Sequence, residues 1–398
     1  MNDRPLKVAL FSDSYYPVLN GVSVSIGSLA EELRALGHSV HIYTSNHSRQ
    51  RDEDPNIHRF ISREFWFAPD YPLAVPPFFI HLKGFRSVEF DVVHTHTPWT
   101  VGFVGLRWAH SHDLPIVSTY HTLYDRYAHH VPLLPRRYIR FKIAKHTNYY
   151  YNRVNHVITP SELAKRWLRR HSVKTPITSI PSAPLTIQHT DRNVARQQHG
   201  ARPDEFILLY VGRIDREKNL ETLLRAAKMV FSEFANTRLW LVGDGHYRSE
   251  VKQMVNALGI GDRVRFFGAV PRKDIDSYYA AADLFVFPSY SETQGLVVRE
   301  AISHGLPVVL IQGGGASESI THGETGYLVR NDPAAFAEGI NTVIQDEQLL
   351  TTLTMEGLKQ ARNWTPRAVA QQVEAVYRSV LNESPPSNLE VVPSRVAA

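Results

Sequence analysis

The chain alternates short apolar runs with longer stretches in which apolar residues recur every three or four positions. Lys7–Ser12 (KVALFS) reads as a buried strand, and the polar loop after it closes on Asn20-Gly21. VSVSIGSLAEELRAL then carries a helix to about Leu36, Gly37 caps it, and SVHIYT returns as a strand. FDVVHTHTPW, LPIVSTYHT and HVITPS are further strands ending in polar residues, and a helix starts from Ser161. The pattern restarts at FILLYVGRIDREKNLETLLRAAKMVF, with a strand over Phe206–Gly212, a polar loop and a helix from Asn219. RLWLVGDG, RVRFFGAV, LFVFPSY and LPVVLIQGG repeat the strand, each ahead of a helical stretch. Alternation of this kind builds parallel, doubly wound sheets. The expected fold class is therefore α/β, with two Rossmann-like domains over residues 1–185 and 186–364, joined near PSAPLTIQHTDRN. A last helix follows Trp364, over 365–382, and the polar, Pro-containing tail 383–398 reads as disordered.

Composition agrees with this division. A chain of 398 residues, 43% hydrophobic and 21% charged, is globular and too long for one ordinary core. It has no cysteine, so disulfides and thiolate metal sites are excluded. No apolar run reaches the roughly 18 residues of a membrane span, and the N-terminus passes straight into a strand without a secretory apolar region, so the expected location is cytoplasmic. The net charge of +5 hides an asymmetry: residues 1–185 hold 22 Lys/Arg against 14 Asp/Glu, and the remainder holds 22 against 25. The excess concentrates in Arg126–Lys174, with 12 basic residues and one acid, Glu162. The first half is expected to meet a negatively charged surface or ligand.

Ligands of open α/β sheets bind outside the carboxyl ends of the strands. The loops to inspect are 13–21, 94–99, 119–125, 213–218, 243–246, 268–271, 288–295 and 312–316, which two domains with facing carboxyl edges would gather around one cleft. SYSETQGLVVREAISHG places Glu292 in a loop and Glu300 inside a helix expected to begin near Gln294, with Gly295 between them. Two acids flanking a helix N-terminus with its free amides suit a ligand carrying hydroxyls and a negative charge. Arg213 and Lys218 flank RIDREK at another helix N-terminus and form a candidate diphosphate clamp; the plainer reading is exposed loop charges. Asn20-Gly21-Val22 is a glycine turn that brings backbone amides toward a phosphate, or simply a tight turn. His94, His96 and His121 stand at or just past strand ends, and no neighbouring acid or histidine completes a metal set around them, so no metal is expected. His121 is either a polar contact to a sugar or phosphate or a structural histidine. QGGGASES is unassigned. No Ser-His-Asp arrangement, P-loop, zinc pattern or G-x-G-x-x-G is present, so chemistry rests on electrostatic stabilisation of a leaving group.

GRIDREKNL, LVGDG, FFGAV and PSYSETQGLVVREA resemble the nucleotide-binding half of the family 4 retaining glycosyltransferases of the GT-B fold, and Glu292 and Glu300 match that family's E-x7-E motif. FSDSYYPVLNGVSVSI, HTHTPW and STYHTLYDRY resemble its acceptor half, closest to the branch that glucosylates diacylglycerol. The resemblance spans about residues 5–380. IPSAPL at 180–185 departs from it, because the family has a Pro-Thr/Asn-Gly turn followed by an acid there.

The resemblance implies roles. Glu292 would contact donor-sugar hydroxyls, Glu300 the ribose, and Arg213 and Lys218 the diphosphate. Gly21, with Val22, would lie by the diphosphate and His121 by the sugar. Backbone near Gly268 and Val270 would meet the base, and Gly295, Leu296 and Val297 would complete the donor site. Such enzymes need no metal or other cofactor, the nucleotide sugar being a co-substrate. The final helix would cross back to the first domain. The implied activity is retaining transfer of a hexose, glucose from UDP-glucose, to a membrane lipid such as 1,2-diacylglycerol. Donors carrying galactose or mannose, and acceptors such as a soluble sugar, a phosphoinositol or a glycan, stay open, as does a UDP-sugar 2-epimerase of the same fold. Arg136, Arg137, Arg140, Lys142 and Lys145, in a stretch that also carries Tyr138, Phe141, Tyr149, Tyr150 and Tyr151, are the expected membrane-facing set, although the apolar positions form no single clean stripe. FWFAPDYPLAVPPFFIHLKGF (65–85) is a second candidate for the interface. Together these predict a peripheral protein at the inner face of the plasma membrane, with no nucleic-acid partner.

Overall fold

A computed structural model describes residues 4–18, 20–46, 52–65, 68–123, 135–184 and 187–382. In the first domain β1 (Lys7–Ser12) leads through α1 (Gly21–Ala35) to β2 (Ser39–Ser45) and β3 (Ile57–Phe60). A hairpin of β4 (Ser62–Phe65) and β5 (Ala68–Ala74) precedes α2 (Leu82–Ser87). Then come β6 (Val92–Thr95), α3 (Thr100–Ser111), β7 (Ile116–Thr119), α4 (Arg136–Tyr151), β8 (His156–Thr159), α5 (Glu162–Arg170) and β9 (Ile177–Ser179). Seven strands among the described residues make one sheet in the order β3-β2-β1-β6-β7-β8-β9, with every pairing parallel.

The second domain begins with α6 (Arg192–Gln198). It continues through β10 (Phe206–Val211), α7 (Leu220–Glu233), β11 (Thr237–Val242), α8 (Arg248–Leu258), β12 (Val264–Gly268), α9 (Ile275–Ala281), β13 (Leu284–Phe287) and α10 (Leu296–Ser303). β14 (Val308–Ile311), β15 (Tyr327–Val329), α11 (Pro333–Gln345) and α12 (Glu347–Ala361) complete it. Its sheet runs β12-β11-β10-β13-β14-β15, again parallel throughout. In both sheets the strand order reverses direction beside the first strand, between β1 and β6 and between β10 and β13. The loops after β1 and β10 therefore open at the switch points where α/β sheets hold ligands.

The strands are buried almost end to end because helices cover both sheet faces, which is why they read as apolar runs rather than alternations. One apolar cluster fills the second domain, and two fill the opposite faces of the first sheet. α13 (Pro366–Asn382) follows the second domain in sequence but packs on the first. Its Ala370, Val373, Val376, Tyr377 and Val380 join one of the first domain's clusters, alongside Val8 and Leu10 of β1 and Ile26 of α1.

Two local readings change. The helix after Glu292 starts at Leu296 rather than Gln294, because Gly295 takes the left-handed conformation (φ 74°) ahead of it and Gln294 turns toward the first domain. The segment 65–85 is not one loop: it holds β5 and α2, and Phe85 is buried in the core, while Phe79 and Ile80 remain exposed. The tail 383–398 and residues 124–134, with Arg126, lie outside the described residues.

Candidate active site

The loop after β10 carries Arg213 and Lys218, and the structure separates their roles. Lys218 ends a 3-10 turn (Arg216–Lys218) and is buried at 7% exposure, with Nζ 2.5 Å from Glu292 Oε1. Asn219 in the left-handed conformation (φ 58°) then starts α7 and ties this loop to the next one by donating to the Pro288 carbonyl at 3.1 Å. Arg213 is 54% exposed and is held by two acids of its own loop, Asp215 and Glu217. The RIDRE spacing explains this: acids two and four residues on reach back to the guanidinium. Lys218 and Glu292 are thus brought into direct contact, whereas Arg213 sits at the rim in an acidic cradle.

The loop after β13 is built around Glu292. Ser289 Oγ donates to its carboxylate at 3.4 Å, Ser291 Oγ donates to the Glu217 carbonyl at 3.0 Å, and the Gly315 amide donates to the Glu292 carbonyl at 2.9 Å. Loops after β10, β13 and β14, the last containing the unassigned QGGGASES, are therefore one bonded unit. Gly295 sets the N-terminus of α10, and a methyl group there would fall 2.7 Å from Ala316 Cβ. Glu300, one turn into α10, accepts from Tyr279 at 3.0 Å and pairs with Arg272 at 3.2 Å. Burial pushes its carboxyl above the usual range, against the opposing pull of Arg272. Arg272 follows Val270, so Glu300 is joined to the loop after β12. There Gly268 (φ 75°) accepts at its carbonyl from the Gly243 amide at 2.8 Å, and Val270 is half-buried.

Across the cleft, Asn20 caps α1, accepting from the Val22 and Ser23 amides at 3.0 Å each. Gly21 heads that helix, and a methyl on it would lie 3.8 Å from Leu296 Cδ1, so the N-termini of α1 and α10 face each other. Asp13, absent from the sequence candidates, is buried; it accepts from the Val101 amide at 2.9 Å and from Thr97 Oγ1 at 2.6 Å, fixing the β1 loop to the start of α3. Burial raises its carboxyl above the usual range, against those hydrogen bonds. Its position one residue past a strand end was the signal available in the sequence. His121 accepts at its backbone carbonyl from Thr293 Oγ1 at 2.8 Å, which sets it opposite the Glu292 loop. Its ring meets His96, Nε2 to Nδ1 at 3.1 Å, and burial lowers it to about 4. His94 gives both ring nitrogens to Tyr377 Oη (2.6 Å) and Thr119 Oγ1 (2.7 Å).

Further contacts clasp the domains. The Ser182 amide donates to Gln294 Oε1 at 3.0 Å while Gln294 Nε2 donates to the Ser182 carbonyl at 2.7 Å, and Arg299 reaches the same carbonyl at 3.3 Å. Glu318 accepts from the Glu162 amide at 2.8 Å, at the N-terminus of α5, and pairs with Arg166 at 2.9 Å. Ser182 lies in the segment that departs from the family turn, and the departure leaves a specific interdomain bond in place.

The basic stretch resolves into α4. Ile139, Thr147, Tyr150 and Tyr151 are buried, and Tyr138, Phe141, Lys142, Lys145 and Tyr149 fall on one exposed face. Apolar positions occupy both faces, which is why they gave no single stripe in the sequence. Lys142 lies 5.3 Å above the Tyr138 ring and Arg153 lies 3.7 Å above that of Tyr149. Arg137 and Arg140 are exposed on the same helix, which Arg136 opens; the Arg136 side chain lies outside the described set. No helix among the described residues is long and apolar enough to cross a membrane.

Residues 19–183 match the family model described as Glycosyltransferase Family 4, and residues 191–360 that described as Glycosyl transferases group 1. The alpha-monoglucosyldiacylglycerol synthase of Streptococcus pneumoniae is 32% identical over 314 residues, covering 76% of this chain and 70% of that protein. The synthase of the same name from Acholeplasma laidlawii is 27% identical over 396 residues, covering 95% and 98%. Among solved structures, a sucrose-phosphate synthase from Thermosynechococcus elongatus superposes with a TM-score of 0.76 at 25% identity, over 96% of this chain and 100% of that one. With two parallel-sheet domains meeting at their switch-point loops, this chain belongs to the family 4 glycosyltransferases of the GT-B fold, near the diacylglycerol glucosyltransferase branch.

Proposed function

We propose that this chain transfers glucose from UDP-glucose to a diacylglycerol-type lipid at an anionic membrane surface, with retention of anomeric configuration and without a metal ion. The observation that carries the reading is the Lys218–Glu292 contact, placed at the β10/β13 switch point opposite the N-terminus of α1 and the His121 backbone. The cation and the acid neutralise one another across that contact. Donor binding exchanges the pair: Lys218 turns to the diphosphate and Glu292 to the sugar hydroxyls, so neither charge is stranded. As the glycosidic bond to the diphosphate breaks, negative charge grows on the leaving oxygen beside Lys218 and the amides of α1 and α10, with Arg213 at the rim. A donor of this kind is worth about 10²–10³ in rate. Glu300, joined to Arg272 and Tyr279, is set to hold the ribose, and the backbone near Gly268 and Val270 the base.

The relatives named for monoglucosyldiacylglycerol synthesis favour the lipid acceptor, and the exposed Lys/aromatic face of α4 favours an anionic surface, the inner face of the plasma membrane. The test is a panel of UDP- and GDP-sugars against diacylglycerol micelles, inositol phosphates and soluble sugars, with products and anomeric configuration identified by mass spectrometry and NMR. A glucosylated diacylglycerol with the donor's configuration is expected, unchanged by chelator. Transfer only to soluble acceptors, an inverted product, or loss of rate with chelator would each overturn the corresponding part.

A further inference from the structure

We propose that His96 is a positioning residue for His121: its Nδ1–H fixes the His121 ring so that His121 meets the substrate as a neutral hydrogen-bond donor through its own Nδ1. The inference rests on the reading of His121 as a sugar contact.

The geometry leaves little choice of proton arrangement. His96 Nδ1 and His121 Nε2 are 3.1 Å apart, so one carries the shared proton. His96 Nε2 is buried and has no hydrogen-bond partner among the described residues. An orphaned N–H costs more than an orphaned lone pair and is rarer in folded proteins. The proton of His96 therefore sits on Nδ1 and points at His121. His121 Nε2 is then the acceptor, and a neutral His121 must carry its proton on Nδ1. The His96 ring is itself immobilised, with its centroid 4.1 Å from that of His94, which Tyr377 and Thr119 hold at both nitrogens. Burial keeps His96 and His121 uncharged, in agreement with a donor that is neutral rather than ionic. A chain of fixed groups thus runs from α13 through β6 to the cleft, and only its last member meets the substrate.

The test uses the full chain, with UDP-glucose and diacylglycerol micelles. His96→Leu removes the shared proton and is expected to lower kcat about tenfold to hundredfold, the range typical of groups that orient a site residue. The KM for UDP-glucose should stay within about twofold, since positioning acts on the transition state more than on donor binding. His96→Asn places an amide donor near the Nδ1 position and should recover most of the rate. His96→Gln, whose amide reaches toward the Nε2 position instead, should not, and this pair decides the matter even where His96→Leu fails to fold. The double variant His96→Leu/His121→Ala should be no slower than His121→Ala alone. His96→Asn as slow as His96→Gln, or a double variant slower by the product of the single effects, overturns the inference. His121→Ala at the parental rate would instead remove His121 from the reaction. His121→Ala slow with His96→Leu unaffected would sink the positioning role alone.

Discussion

At the scale of single residues, the balance of charge around Lys218 and Glu292 decides both stability and turnover. Each is largely withdrawn from water, so removing one leaves the other without its counter-charge. Lys218→Ala is expected to lower kcat by about 10²–10³ while leaving the fold cooperative. Glu292→Gln keeps the shape and one polar contact to Lys218, and should cost about 1–3 kcal/mol of unfolding free energy, the range for a weakened hydrogen bond to a charged group. Initial rates and urea titrations on the two variants check this; parental turnover by Lys218→Ala would refute the clamp. The histidines give a separate, signed expectation. Burial lowers the His94 ring to about 3 and the His121 ring to about 4, from the ordinary 6.5, and holds His96 well below that value too. Between about pH 6.5 and 4 the unfolded chain therefore holds protons that the folded rings refuse, and stability falls as pH drops through that window, by up to about 1.4 kcal/mol per pH unit for each ring. Asp13 and Glu300 act in the opposite sense: their raised carboxyls contribute stability that is present below the ordinary carboxyl range and lost as pH rises. Calorimetry from pH 7 to pH 5 should show a falling midpoint. A flat profile would mean that the folded protein takes up as many protons as the unfolded chain, at these rings or at Asp13 and Glu300.

At the scale of elements, α10 and α4 are the two helices whose placement matters most. Gly295 holds the left-handed turn that aims the amides of α10 at the cleft, and an alanine there meets both an unfavourable φ and the Ala316 methyl. Gly295→Ala should destabilise the second domain by about 1–3 kcal/mol and weaken UDP binding; calorimetric titration with UDP measures the second effect. α4 makes the contrasting case, since its outer face touches solvent. Lys142→Glu/Lys145→Glu should leave the melting temperature almost unchanged yet weaken sedimentation with anionic vesicles about tenfold or more, at roughly 1 kcal/mol for each basic residue engaged. Binding that ignores both lipid charge and the reversal would dismiss the membrane face. The elements on either side of these helices were legible in the sequence because each strand is a buried apolar run with a polar loop and a capped helix behind it. Asn20 and Ser161 stand at the N-caps of α1 and α5, and Phe206–Val211 is β10. The β4–β5 hairpin and β15 were not: β4 and β15 are short pieces without periodicity of their own, and Pro69 and Pro72 interrupt the strand pattern of β5. Arg213 shows the same limit at close range: its charge was visible, but its capture by Asp215 and Glu217 depends on how the loop folds.

At the scale of the whole molecule, the contacts that join the domains could not be read from the chain, because they pair residues far apart in sequence. His94 and Tyr377 are separated by 283 positions, and Ser182 and Gln294 by 112. α13 is the strongest of these connections. It leaves the second domain at Trp364, whose ring lies 4.3 Å from the Arg299 guanidinium, and then completes the first domain with five buried side chains. Burying such side chains is worth about 1.5–3 kcal/mol for each large one, so the helix supplies stabilisation comparable to the whole 5–15 kcal/mol of a typical domain. The first domain without it should not be a stable unit. Truncation after Trp364 is therefore expected to abolish the unfolding transition of residues 4–184 while the second domain still melts cooperatively and still binds UDP. Tyr377→Phe is the mild version: it deletes only the hydroxyl bonded to His94, strands a buried ring nitrogen, and should cost about 1–3 kcal/mol in the first domain alone. Calorimetry with limited proteolysis would separate the two domains' responses. Two transitions at parental temperatures in the truncated chain would show that the first domain closes its core without α13, and that the crossing helix serves only to tether.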